Sequence, residues 1–78
     1  MPELLLYKKD ACPFCQKVMR YLDAHGIVVP TRDTATDPDA RAELVRVGGK
    51  AQVPCLLIDG EPLYESDDIV AYFAAQGA

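Results

Sequence analysis

The chain has one histidine, three cysteines and no apolar run approaching the roughly 20 residues of a membrane span. Its 8 lysines and arginines are outnumbered by 12 aspartates and glutamates, giving a net charge of −4 at pH 7. Each shortage weighs against a class of function. Phosphate binding needs a basic surface, so this charge balance speaks against nucleic acid as the main partner. Three cysteines are an odd number and too few for a disulfide scaffold. A zinc site takes about four ligands, and there is neither a histidine pair nor a second Cys-x-x-Cys to complete one. The start, Met1-Pro2-Glu3, has no basic segment and enters an apolar stretch too short for a signal peptide. A cytoplasmic protein is the expectation.

What is present is enough for one domain spanning residues 1–78 and not for two. A chain of this size buries only about 60 % of its unfolded surface, yet it can fold alone. Half the residues are apolar, which argues for a globular chain over a disordered one. No repeat, linker or low-complexity tract interrupts it.

Leu4-Leu5-Leu6-Tyr7 is a continuous apolar run, as expected for a strand buried on both faces. Pro13 suits the first position of a helix and places Cys12 at its N-cap. Phe14, Val18, Leu22 and His25 recur at helical spacing, and Gly26 ends the segment. Residues 27–32 read as a second strand, with Pro30 pointing to a sheet edge. Asp37-Pro38 opens a second helix, whose apolar face is Ala40, Leu44 and Val47 and whose stop is Gly48-Gly49. Residues 55–58 form a third strand, and Asp59-Gly60 is a hairpin signal leading into Pro62-Leu63-Tyr64. Ser66 is expected to cap a last helix with Asp67 and Asp68 in its first turn and Ile69, Val70 and Phe73 inward. The order β-α-β-α-β-β-α predicts an α/β fold, a four-stranded mixed sheet with three helices.

The chemistry concentrates in "KKDACPFCQ", residues 8–16. Three readings of Cys12 and Cys15 compete: a metal clip, a structural disulfide and a pair of reacting thiols. The ligand shortage weakens the first, and the second closes too small a loop to stabilise much. Two reacting thiols is the favoured reading. The Cys12 sulfur at an N-cap faces the free N–H groups of the first turn, which favour a thiolate. Lys8 and Lys9 add positive charge, Lys17 and Arg20 lie farther along the helix, and Asp10 opposes them. A lowered pKa for Cys12 follows. Cys15, inside the first turn, is expected to be less exposed, a division suited to an attacking and a resolving thiol.

"CPFC" after the first strand, "QVP" before the third and "YESDDI" before the last helix together resemble a glutaredoxin over essentially the whole chain. The stretch from "GGKAQVPC" to "IVAYF" is also similar to the N-terminal domain of glutathione S-transferases and of transferase-like glutaredoxins. The resemblance implies a thioredoxin-like fold and a glutathione-dependent thiol–disulfide oxidoreductase. It makes Cys12 the nucleophile, Cys15 the resolving thiol and Pro54 a cis-proline facing the site. It further implies that the Val53 backbone bonds the cysteinyl part of glutathione and that Lys9 meets the glycine carboxylate. Ser66 with Asp67, or Glu65 with Ser66 in the transferase manner, would hold the γ-glutamyl end. Phe14 replaces the commoner active-site tyrosine, Tyr64-Glu65 replaces a glycine pair, and Cys55 after the proline is unusual.

Plainer roles stand beside these. Lys8 and Lys9 also fit solvated charge, Ser66 and Asp67 an ordinary helix cap, and His25 a helix-end packing residue. Cys55 fits either a buried inert thiol or a third redox thiol. The implied substrates are glutathionylated or disulfide-containing proteins, with glutathione as reductant, no metal, no nucleic acid or membrane partner, and a monomeric enzyme. The rivals are a dithiol donor reduced by thioredoxin reductase, and a module that binds glutathione or an iron–sulfur cluster.

Overall fold

The computed structural model describes residues 2–76, so Met1, Gly77 and Ala78 of the one-domain reading lie outside the described residues. The elements are β1 (Leu4–Lys8), α1 (Pro13–Ala24), β2 (Thr31–Asp33), α2 (Pro38–Gly48), β3 (Cys55–Ile58), β4 (Glu61–Tyr64) and α3 (Ser66–Ala75). They build one mixed sheet in the order β2-β1-β3-β4. β2 runs parallel to β1, while β1–β3 and β3–β4 are antiparallel. This is the expected element order and sheet, and it is the thioredoxin-like arrangement.

The two apolar runs occupy the centre of the sheet because they bury both faces. Leu6 lies opposite Leu56, and Tyr7 opposite Cys55. With a side-chain period of two, these pairs alternate between faces. Leu6 and Leu56 pack with Val18 and Leu22 of α1 and Ile69 and Phe73 of α3. Tyr7, Cys55 and Leu57 pack with Ala40 and Leu44 of α2. Each large apolar side chain so buried contributes roughly 1.5–3 kcal/mol.

β2 is shorter than expected and sits at the sheet edge that Pro30 indicated. Ile27 and Val29 pack on the core while Val28 is 95 % exposed, so the alternation of a strand is present. The ladder is not: Pro30 has no N–H to give, and its carbonyl accepts the Leu6 N–H at 2.9 Å just before β2 begins. Ion pairs hold this short edge. Arg32 reaches Glu43 at 2.9 Å and Asp37 at 3.2 Å, and the Tyr7 hydroxyl donates to Glu43. Burial, reinforced by Glu43, pushes Tyr7 up to about 12.

Three helix assignments need correction. Phe14 is not on the inner face of α1; Cys15, Val18 and Leu22 are, at spacings of three and four. Val47 is half-exposed, which leaves Ala40 and Leu44 as the buried face of α2. Ser66 does not cap α3 but opens it, buried, and Glu65 holds the N-cap position. His25 closes α1 from just beyond its end and stacks on Tyr21 at 4.2 Å. The Asp37 cap is as expected, accepting the N–H groups of Asp39 and Ala40 at 3.0 and 3.2 Å. Such a cap contributes about 1 kcal/mol. Asp59 and Gly60 both take positive φ, 51° and 84°, as a type I′ hairpin turn requires.

Gly48 is where α2 meets β4. A Cβ there would lie 2.0 Å from the Tyr64 hydroxyl oxygen and 3.0 Å from Cζ. Tyr64 is not free to swing aside, because its hydroxyl donates to the Lys50 carbonyl at 3.0 Å and the Lys50 ammonium lies 4.5 Å over its ring. Gly48→Ala is therefore expected to cost about 1–3 kcal/mol by urea unfolding, despite a helical gain of up to about 1 kcal/mol. Adding Tyr64→Phe should recover part of the loss. An alanine variant as stable as the parent would show that the contact relaxes freely.

Candidate active site

β1 ends at Lys8, and four residues connect it to α1. The Cys12 N–H bonds the Lys9 carbonyl at 3.2 Å, closing the turn that aims Cys12 at the helix start. Cys12 takes extended backbone angles at the N-cap, Pro13 follows at N1, and the Cys12 carbonyl accepts the first helical bond from Gln16 at 2.9 Å. Proline suits that position because its missing N–H would have no helical partner there.

The two thiols differ sharply. Cys12 is half-buried, and Cys15 is 1 % exposed. Partial burial works against ionising Cys12, but the Cys15 N–H and thiol, the Phe14 N–H and the Lys9 charge outweigh it, so its pKa is lowered. Its side chain makes no capping hydrogen bond. Cys15 moves the other way. Burial, joined by the neighbouring Cys12, pushes it up to about 11, although the Lys9 N–H donates to its sulfur at 3.4 Å.

The nearby cations divide the work. Lys9 acts on Cys12. Lys8 is engaged with Asp10 and, at 3.6 Å, with Asp33. Lys17 is engaged with Asp67. Arg20 is exposed.

A cleft of about 310 Å³ is lined by Phe14, Gln52, Val53, Pro54, Glu65, Ser66 and Asp67. Three separate stretches thus converge on one place: the first turn of α1, the segment entering β3, and the N-terminus of α3. The Val53–Pro54 peptide bond is cis. Phe14, displaced from the core, presents its ring here, 65 % exposed. Cys12 lies two residues before Phe14; Cys12, Cys15 and Lys9 are not among the lining residues.

Gln52 is the residue that sequence reasoning passed over. It lies within the quoted "QVP", and its side-chain amide donates to Glu65 Oε1 at 3.3 Å. The available signal was a polar, non-helical position directly before Val53-Pro54. Glu65 itself holds φ at 71°, a region few residues other than glycine adopt, and such positions cluster at ligand sites.

Cys55 does not join the site. It is fully buried beside Tyr7, Ala40 and Leu44, on the face of the sheet that α2 covers, whereas Cys15 belongs to α1 on the other face. Burial raises its pKa, partly offset by the Tyr64 hydroxyl and the Leu63 N–H. It is a packed core thiol. Among the described residues, no group of three or more histidine, cysteine, aspartate or glutamate side chains is placed to hold a metal ion.

Comparison with known proteins agrees with this architecture. The family model for glutaredoxin matches residues 4–63. Glutaredoxin 3 of Escherichia coli is 26 % identical over 77 residues, covering 99 % of this chain and 93 % of its own length. Glutaredoxin 2 of Salmonella typhimurium, solved in complex with glutathione, superposes with a TM-score of 0.79 at 33 % identity. That match covers 96 % of this chain and 34 % of the larger protein. The thioredoxin-like protein BC3987 shares the fold, with a TM-score of 0.74 at 23 % identity over 94 % of this chain and 95 % of its own. The family match runs from β1 into β4 and takes in both cysteines of the pair: the chain belongs to the glutaredoxin family.

Proposed function

We propose that the protein is a glutathione-dependent thiol–disulfide oxidoreductase that reduces glutathione mixed disulfides and protein disulfides. The observation that carries this reading is the unequal pair. A thiol of lowered pKa sits at the start of α1, a buried partner of raised pKa lies one turn on, and a cleft opens beside them at the N-terminus of α3.

With a glutathionylated protein, the Cys12 thiolate attacks the glutathione sulfur. The protein sulfur leaves as a thiolate and takes up a proton, while Cys12 becomes bonded to glutathione. A second glutathione thiolate then attacks that glutathione sulfur, releasing glutathione disulfide and the Cys12 thiolate. One free glutathione is consumed, and it leaves as glutathione disulfide, joined to the glutathione unit of the substrate. The lowered pKa helps in both steps, by supplying the attacking anion and by making Cys12 a good leaving group.

With a protein disulfide, Cys12 attacks one protein sulfur, breaking the S–S bond, and the other protein sulfur leaves as a thiolate. Cys15 loses its proton, attacks the Cys12 sulfur and expels the second protein thiolate, leaving a Cys12–Cys15 disulfide for glutathione to reduce. Burial is the main cause that keeps Cys15 protonated at rest, and the Cys12 charge adds to it. Once Cys12 is in a disulfide, that charge is gone. The resolving thiol then becomes easier to ionise at the step that uses it.

In this reading glutathione occupies the cleft. The γ-glutamyl carboxylate meets the N–H groups of α3 and Ser66, since a helix N-terminus favours anions. Glu65 or Asp67 pairs with the γ-glutamyl ammonium. The Val53 backbone bonds the cysteinyl unit before cis-Pro54, Phe14 packs against the ligand, and Lys9 meets the glycine carboxylate. A reducing, cytoplasmic setting and a monomeric enzyme complete the proposal.

The test is NADPH oxidation with glutathione, glutathione reductase and a small glutathione mixed disulfide. Turnover that requires this protein is expected. Turnover only with thioredoxin reductase, in the absence of glutathione, would replace the electron donor. Visible absorbance after anaerobic purification, with no turnover in either assay, would favour the cluster-binding module.

A further inference from the structure

The cleft lining has an unbalanced charge. It includes two carboxylates, Glu65 and Asp67, and no cation. The γ-glutamyl end of glutathione is a zwitterion, with one ammonium and one carboxylate. The carboxylates on the lining suit the ammonium and repel the carboxylate. The α3 N-terminus alone would have to overcome that repulsion.

The missing positive charge comes from α1. Lys17 lies three residues after Phe14, which places both on one flank of the helix. Its ammonium crosses from α1 to the first turn of α3 and pairs with Asp67. The two side chains are 50 % and 82 % exposed, so the pair adds little to stability and its partners can rearrange cheaply. Glu65 is engaged differently, by the neutral amide of Gln52. The two acids are therefore not equivalent: one carries a cation beside it and the other does not.

We infer that Lys17 is a specificity-determining residue of the cleft, binding the γ-glutamyl α-carboxylate of the glutathione unit while Asp67 turns to its ammonium. The resting Lys17–Asp67 pair is a stand-in for the bound zwitterion. On binding, each side chain exchanges its neighbour for the ligand group of opposite charge. This assignment rests on the glutathione-dependent reading above and adds to it a residue on α1, outside the segments that line the cleft at its α3 end.

The experiment compares two substrates. One is the mixed disulfide of glutathione with 2-mercaptoethanol, and the other is the same compound with the γ-glutamyl α-carboxylate converted to a primary amide. The parent protein is expected to prefer the carboxylate by about 3- to 10-fold in kcat/KM, the range for a partly exposed charge-assisted contact. Lys17→Met keeps the apolar stem and removes the charge. It should raise KM for the carboxylate substrate by about the same factor, leave kcat within about twofold, and lose the preference between the substrates. Lys17→Arg should restore most of it. The pH dependence of Cys12 alkylation should be the same in all three proteins, which separates ligand binding from an effect of Lys17 on the thiol.

A Lys17→Met variant that keeps the full preference overturns the inference, as does an equal loss on both substrates or a shifted Cys12 profile. These outcomes leave the glutathione-dependent reading standing. A parent protein inactive toward both substrates overturns that reading, and this inference with it.

Discussion

Cys12→Ser is expected to lower glutathione-coupled reduction of a small mixed disulfide by at least about a thousandfold, because no other thiol can take its place. Cys15 is 1 % exposed and Cys55 is sealed on the far face of the sheet. Cys15→Ser should retain activity on that substrate within about threefold, since a second glutathione performs the resolving step. On a protein disulfide the same variant should stall as a mixed disulfide. Cys55→Ser should leave turnover intact and lower the unfolding midpoint, because it places a hydroxyl in an apolar cluster. Steady-state rates of the three variants and the parent, measured side by side, decide the matter. Full activity in Cys12→Ser would remove the proposed nucleophile.

The thiols should differ almost as much in simple alkylation. At pH 7, a group with a pKa of about 11 is ionised in only about one molecule in ten thousand. Iodoacetamide reacts with the thiolate, so Cys12 should be modified at least about a hundredfold faster than Cys15 or Cys55. Its rate should rise with pH through a midpoint below that of a free thiol, in keeping with the Cys15 and Phe14 donors and Lys9. The sign for stability follows. A depressed folded-state pKa favours the thiolate in the fold, so this contribution is present above the ordinary thiol pKa and fades as pH falls through that of Cys12. Peptide mapping after brief labelling gives the ratio. Equal labelling of Cys12 and Cys15 would contradict the asymmetry on which the mechanism rests.

Much of this was legible in the chain because the relevant signals are local. Apolar runs at residues 4–7 and 55–58 marked the central strands, and two Xaa-Pro helix starts, at Cys12-Pro13 and Asp37-Pro38, marked α1 and α2. Asp59-Gly60 marked the hairpin. Misreadings arose where local pattern and long-range bonding part company. Residues 27–30 alternate like a strand yet lie outside the ladder, and Phe14 has helical spacing but turns toward the cleft. Ser66 has the chemistry of a cap but is the first helical residue.

The site divides the same way. "CPFC", "QVP" and "YESDD" indicated which stretches converge. The Gln52–Glu65 bond and the Lys17–Asp67 pair join residues 13 and 50 positions apart, and only the folded chain shows them. The fate of Cys55 depended on which face of β3 it takes. Its placement opposite Tyr7 on the α2 side settles that.

The most direct test of the central claim is to treat Cys15→Ser with glutathione disulfide and map the adduct by mass spectrometry. The account predicts one glutathione per chain, bonded to Cys12, and its release by added glutathione as glutathione disulfide. An adduct on Cys55, or a Cys12 that stays unmodified while the chain remains folded, would contradict it.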